Sequence, residues 1–285
     1  MIKQKQYIKQ KILYYFLFSL LHLLVFVNEP AQTFKLQVNP LTHLKKRYIS
    51  PLIKNLTSVK IYKQTNHESN HESNHESKSC LIFFTGASSF ISPKIYDNFF
   101  TELMNNNIDV YVPSFNYENY DILAQTLKNE YGKVVIAGHS SGATVALKNI
   151  ETHNQNQIID KLILLDPVNT RLSNTSKPYN VETISSILYL YVLKSYKITF
   201  DPFGLPFIPI LEIPPELLTS KTPKNIKTLT AKTHGHADIL NKEYGDFMHN
   251  TRIAVGNKNR TEENINVYHQ WLSHQIKSYI LNKNK

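Results

Sequence analysis

Residues 133–142 read Lys-Val-Val-Ile-Ala-Gly-His-Ser-Ser-Gly. Four apolar residues, Val134 to Ala137, run into Gly138-His139-Ser140-Ser141-Gly142, and Ala143 to Leu147 continue as a helix-forming run. A buried strand that breaks into Gly-x-Ser-x-Gly and then a helix is the expected setting of a nucleophile elbow. There the serine stands on a tight turn with its Oγ proud of the sheet. The two glycines let strand and helix approach, because a Cβ at either position would collide with neighbouring backbone. The helix N-terminus aims backbone N–H groups at the place where negative charge develops. The competing reading is a Gly/Ser loop that caps a helix. The flanking strand and helix favour the elbow.

Outward from this stretch, strands and helices alternate. Ser58 to Lys63 alternates as a first edge strand, and Leu81 to Phe84, opened by Cys80, is a central strand ending in Thr85-Gly86-Ala87-Ser88-Ser89. Ser92 to Asn106 has helical spacing, with Tyr96, Phe99, Phe100, Leu103 and Met104 on one face. Asp109 to Val112 reads as a strand and Asn119 to Tyr131 as a helix with Ile122, Leu123 and Leu127 inward. Lys133 to Ala137 is the elbow strand and Ser141 to Thr152 its helix. Ile159 to Leu165 is the next strand, ending at Asp166-Pro167. A helix is expected over Val181 to Ser195, and a peripheral, proline-interrupted strand over Pro206 to Ile213. Lys227 to Ala231 is the last strand, and Ile265 to Leu281 a closing helix built on Tyr268, Trp271, Leu272, Ile276 and Ile280. This alternation predicts an α/β domain with a mostly parallel central sheet covered by helices on both faces. In such sheets the site lies at the carboxyl ends of the strands.

A serine hydroxyl is a weak nucleophile at neutral pH. It needs a base within hydrogen-bond reach, and the base needs an acid to hold its tautomer. His153 lies far along the elbow helix, and His269 and His274 sit on the closing helix. Only His234 and His236 occupy the loop after the last strand, and His236 is the favoured base. The favoured acid is Asp166, at the end of Leu162 to Leu165; its alternative role is a helix N-cap ahead of Pro167. Asp201, Glu212 and Glu216 are rival acids, one strand later. The oxyanion hole would pair the N–H of Ser141 with that of Ala87, and Ser88 and Ser89 could add hydroxyls. His139, next to the serine, is expected to pack beneath the elbow.

Three blocks carry a family likeness: Gly138-His139-Ser140-Ser141-Gly142, Leu164-Leu165-Asp166-Pro167-Val168 and Gly235-His236-Ala237-Asp238-Ile239-Leu240. The chain resembles the α/β-hydrolases, and within them the chlorophyllase-type branch, close to dienelactone-hydrolase-like and polyester-hydrolase-like enzymes. That resemblance implies an α/β-hydrolase fold and a triad of Ser140, Asp166 and His236, with the acid after the strand that follows the elbow helix. The chain departs from the branch's pattern at four positions. Ser141 stands for an Arg, Ala143 for a second Gly, Asn169 for a second Asp, and Thr85 for the His before the oxyanion-loop Gly86.

The remainder of the chain bounds the function. A length of 285 residues suits one large domain, and the net charge of +10 belongs to a Lys-rich surface without a nucleic-acid motif. Cys80 is the lone cysteine and reads as a buried structural thiol, so disulfides and thiolate metal sites are excluded within the chain. Lys3, Lys5, Lys9 and Lys11 precede an apolar run from Ile12 to Val27, about 24 Å long as a helix. Residues 1–30 are therefore expected to be a signal peptide or signal anchor, 31–57 a connector and 58–285 the hydrolase domain. This predicts a membrane-anchored or secreted protein, and sequons at Asn55, Asn174 and Asn259 are compatible with that. The Asn-His-Glu-Ser repeat, within residues 66–78, reads as a polar insert at a hairpin tip rather than a metal site on His67, His71 and His75. The predicted activity is hydrolysis of a carboxylic ester, small or lipidic, through an acyl-enzyme, with no cofactor and no metal. The competing class is a catalytically decayed, membrane-tethered binding protein on the same scaffold, motivated by the departures at Thr85 and Ser141.

Overall fold

The computed structural model describes residues 59–63, 79–87, 89–114, 117–154, 156–168, 179–192, 225–250, 254, 256–257 and 259–282. The leader, the connector, the His-containing repeat and the expected strand at 206–213 lie outside them. Among the described residues one sheet has seven strands: β1 Val59–Tyr62, β2 Ser79–Phe84, β3 Ile108–Pro113, β4 Val134–His139, β5 Ile159–Leu165, β6 Ser186–Val192 and β7 Asn225–Ala231. Their spatial order is β1-β3-β2-β4-β5-β6-β7. β1 pairs with β3 antiparallel and every other pair is parallel. The helices among the described residues are α1 Asp97–Asn105, α2 Tyr120–Tyr131, α3 Gly142–His153, α4 Lys242–Asn250 and α5 Glu262–Leu281. The sheet is mostly parallel, with the Gly-x-Ser-x-Gly turn joining β4 to α3.

Because both faces of the sheet are covered, its central strands read as continuous apolar runs. Alternate side chains go to opposite faces. Leu81, Phe83, Val135, Ala137, Ile163 and Leu165 pack on one side with Phe99 and Leu103 of α1 and Leu272 and Ile276 of α5. Ile82, Phe84, Ile136, Leu162, Leu164 and Ile187 pack on the other with Leu127 of α2 and Ala146, Leu147 and Ile150 of α3. α2 stops at Gly132, whose φ of +71° is the left-handed conformation that glycine adopts without strain. α5 begins at Thr261, whose side chain accepts from Asn264 N–H. Its end is held by Lys161 of β5, a buried ammonium that donates to the carbonyls of Tyr279, Ile280 and Asn282. Cys80 is fully buried with its Sγ against the Lys133 carbonyl, and burial pushes the thiol up to about 12.

Four expectations are corrected. The described part of the helix expected over Val181 to Ser195, residues 181–192, is not helical: Ser186–Val192 is β6, paired in parallel with both β5 and β7. An all-apolar run carries no period with which to separate a buried strand from a buried helix, and here the sheet position decides. The described strands on either side of the insert do not form a hairpin: β1 and β2 flank β3 and do not pair with each other. Ile122 does not face inward; it is 66% exposed, and α2 buries Ala124 and Leu127 instead. The helix expected over Ser92 to Asn106 divides into a 3-10 turn, Pro93–Tyr96, and α1.

Candidate active site

The elbow is built as its residue types demand. A Cβ on Gly138 would overlap the backbone of Gly142 and Ala143, and one on Gly142 would overlap the carbonyls of Phe84 and Thr85. No side chain fits at either position. Ser140, between them, has a φ of +56°, a left-handed conformation that is costly for a residue with a Cβ. The turn is fixed by three bonds: Ser140 N–H donates to the Leu165 carbonyl, and the Ser140 carbonyl accepts from Ala143 N–H and Val168 N–H. Six non-glycine residues have positive φ among the described residues, and four of them, Ala87, Ser89, Ser140 and Asp166, lie on loops leaving the carboxyl ends of β2, β4 and β5. Backbone strain is concentrated where chemistry would be placed.

Asp166 stands directly after β5 with a φ of +40°. Its N–H donates to the Leu190 carbonyl at 2.6 Å, and its Oδ1 accepts from Val192 N–H at 3.2 Å. Both partners belong to β6, the strand that the apolar run concealed. The second oxygen, Oδ2, lies 2.5 Å from His236 Nδ1. Asp166 therefore does not cap a helix; it faces an imidazole. His236 is buried in a 3-10 turn, His236–Ile239, after β7. His234 points elsewhere: its ring stacks on Tyr268 at 4.4 Å between centroids, and its Nε2 lies 3.3 Å from the Asn264 carbonyl. The rival acids Asp201, Glu212 and Glu216 lie outside the described residues.

Ser140 and the His236–Asp166 pair share the carboxyl edge of the sheet. No hydrogen bond joins Ser140 to His236 in this structure. Their neighbourhood is fixed through the residue between β4 and the serine: the His139 ring lies 4.5 Å from the His236 ring, centroid to centroid. His139 is held well below the ordinary histidine range by burial and, second, by His236 beside it. Of the two residues expected to supply oxyanion N–H groups, Ser141 precedes α3 and Ala87 sits in the loop after β2 with a φ of +47°. Thr85 closes that loop by donating its hydroxyl to the Ile91 carbonyl at 2.7 Å. Ser89 is fully buried, and its Oγ has no partner among the described residues.

A second feature escaped the sequence reading. Asp238, two residues after His236, is fully buried and accepts from Gly235 N–H at 2.7 Å and Asn257 N–H at 2.8 Å. Its other oxygen pairs with the Arg260 guanidinium, which also donates to Asp246 at 2.8 Å. A Cβ on Gly245 or Gly256 would overlap Arg260, so both glycines make room for it. His269 of α5 adds a 3.0 Å contact to the Asp238 carbonyl. The His236 loop is thus clamped from behind by a buried ion pair. The only forward signal was the Gly-His-x-Asp spacing, because Arg260 reaches Asp238 from beyond α4.

No protein-family model matches the chain, and no curated protein matches it in sequence. Solved structures do overlap it in shape. The esterase domain of a Rhodothermus marinus protein is 10% identical, covering 78% of this chain and 99% of its own, with a TM-score of 0.41. Esterase 2 of Thermogutta terrifontis is 11% identical over 80% of this chain and 91% of its own, at 0.43. Est1E of Butyrivibrio proteoclasticus, bound to ferulic acid, is 12% identical over 79% and 96%, at 0.45. These are overlaps of shape, and the site is defined by the distances above.

Proposed function

We propose that the protein is a serine hydrolase that cleaves a carboxylic ester through an acyl-enzyme. The observation that carries this reading is the 2.5 Å contact between Asp166 and His236 at the same sheet edge as the strained Ser140 turn. In the reaction, Ser140 Oγ attacks the acyl carbon while its proton passes to His236 Nε2. Asp166 keeps the other ring nitrogen protonated and stabilises the imidazolium. The N–H groups of Ala87 and Ser141 receive the oxyanion. Collapse expels the alcohol, which takes the proton from His236. Water then repeats the sequence on the acyl-serine, releasing the acid and regenerating Ser140. The hydrogen bond between serine and base tightens in such enzymes when substrate is in place. No step calls for a metal or an organic cofactor.

The chlorophyllase-type branch is part of the proposal, supported by the acid standing after the strand that follows the elbow helix. The apolar run from Ile12 to Val27 would deliver the domain to a membrane or the secretory pathway, where a lipidic ester is a fitting substrate. The second reading, a decayed scaffold that binds without catalysis, is favoured by one observation: Ser140 and His236 are not hydrogen-bonded. A fluorophosphonate probe separates the two. An activated Ser140 forms one covalent adduct, found on the Ser140 peptide by mass spectrometry. An unlabelled chain would mean a decayed site.

A further inference from the structure

The peptide N–H of Gly86, the Tyr96 hydroxyl and the His139 ring form a buried chain, set against the His236 ring, that the reaction above does not use. Gly86 N–H donates to Tyr96 Oη at 3.0 Å, and that oxygen lies 2.9 Å from His139 Nδ1. The His139 ring also packs against the His236 ring, 4.5 Å between centroids. Tyr96 is fully buried and His139 is 4% exposed. The chain links three segments: the loop that carries Ala87, the residue that precedes Ser140, and the turn that carries His236.

The Tyr96 hydroxyl has one proton and its oxygen accepts Gly86 N–H, so with the neutral His139 ring bearing its own proton on Nε2 the Tyr96 O–H goes to Nδ1. The polar chain ties the oxyanion loop to the residue before Ser140, and the His139 ring carries the contact on to the His236 ring. The fit is close: a Cβ on Gly86 would lie 3.2 Å from Tyr96 Oη and 3.6 Å from His139 Nδ1. An apolar pair would fill this space without desolvating a hydroxyl and an imidazole. The polar chain instead fixes how the two loops stand relative to the serine. A neutral ring here also keeps a permanent positive charge away from His236, which must become a cation during the reaction.

We propose that His139 and Tyr96 are positioning residues for ester hydrolysis, holding the oxyanion loop and the His236 turn in register with the Ser140 elbow. This rests on the hydrolase reading above. The test compares the full-length chain with Tyr96→Phe, His139→Leu and His139→Gln. The readouts are kcat and KM on p-nitrophenyl butyrate per titrated active site, affinity for butylboronic acid as a tetrahedral mimic, and Tm. Tyr96→Phe and His139→Leu should lower kcat by about 10- to 100-fold, with KM within about twofold and boronate affinity weakened in step with kcat. His139→Gln, which keeps a donor and an acceptor, should recover most of the His139→Leu loss. Unchanged kcat in the folded variants, whatever their Tm, would reduce the chain to structural cement and overturn the proposal. Tyr96→Phe keeps the ring and removes one oxygen, so it decides the matter if His139→Leu does not fold. A wild-type chain inert to both ester and fluorophosphonate would instead overturn the hydrolase reading, and this proposal with it.

Discussion

Asp166 Oδ2 meets His236 Nδ1 at 2.5 Å across 70 residues of chain, and the other oxygen of the same carboxylate is tied to Val192 N–H. Neither the rotation nor the tautomer of the imidazole is left free. Asp166→Asn keeps size and the Val192 bond but presents an amide where a charge-bearing acceptor is needed. In a serine protease the equivalent change costs about 10⁴ in turnover. A loss of about 10³–10⁴ in kcat with unchanged circular dichroism is expected. Full activity in the variant would remove Asp166 from the reaction.

The glycines make a sharper stability contrast. A Cβ on Gly142 would overlap the Phe84 and Thr85 carbonyls, which belong to a buried strand end and cannot move aside. Gly142→Ala should cost about 3 kcal/mol or more. At Gly132 a Cβ meets nothing within 4 Å, although φ is +71°. Gly132→Ala should therefore cost only about 1–2 kcal/mol, the left-handed penalty alone. Urea denaturation of both variants measures the difference. Equal losses would mean that the tight approach at the elbow is not what selects glycine.

Lys161 anchors the last turn of α5. Its ammonium donates to the Tyr279 carbonyl at 2.8 Å and the Asn282 carbonyl at 2.7 Å, with Ile280 at 3.3 Å. Lys161→Met fills the volume but leaves those carbonyls without a charged donor at the helix end. A destabilisation of about 2 kcal/mol and a Tm lowered by several degrees are expected, with ester turnover unchanged at low temperature. An unaltered Tm would show that water replaces the ammonium at no cost.

Two buried histidines set the acid sensitivity of the fold. Burial takes His269 from its ordinary 6.5 to about 3, and His139 falls in the same direction. Each is neutral in the fold while the unfolded chain binds a proton. Their contribution to stability is therefore full above about pH 6.5 and is lost as pH falls towards the folded values. Around His269 stand Arg260, His234, the Phe99 and Tyr268 rings and the backbone of Asp238 and Ile239, none of which supplies a negative charge to its ring. His269→Gln should flatten stability against pH by about 1.4 kcal/mol per unit between about pH 6 and pH 4. Denaturation midpoints across that range check it, and an unchanged slope would contradict it.

Much of the fold could be read forward because strand, turn and helix are local. Val134 to Ala137 could only be a buried strand ahead of two glycines, and the parallel sheet followed from the alternation around it. Ser140 and the histidine loop were visible for the same reason. β6 was not, because Ile187 to Tyr191 is apolar on every face and a period is the only local signal that parts strand from helix. Its aromatic and β-branched content, Ile187, Tyr189, Tyr191 and Val192, was the cue available. Partnerships made by distant residues were also hidden. His139 looked like filler beneath the elbow until Tyr96 and His236 were placed against it, and Arg260 gave no sign of reaching Asp238.

The account rests on one hydroxyl acting as nucleophile. The measurement that bears on it most directly is kcat/KM on p-nitrophenyl butyrate for the wild-type chain and for Ser140→Ala, with folding of both checked by circular dichroism. The prediction is measurable hydrolysis by the wild type and a loss of about 10⁴-fold or more in the variant. Equal turnover by the two chains would contradict it.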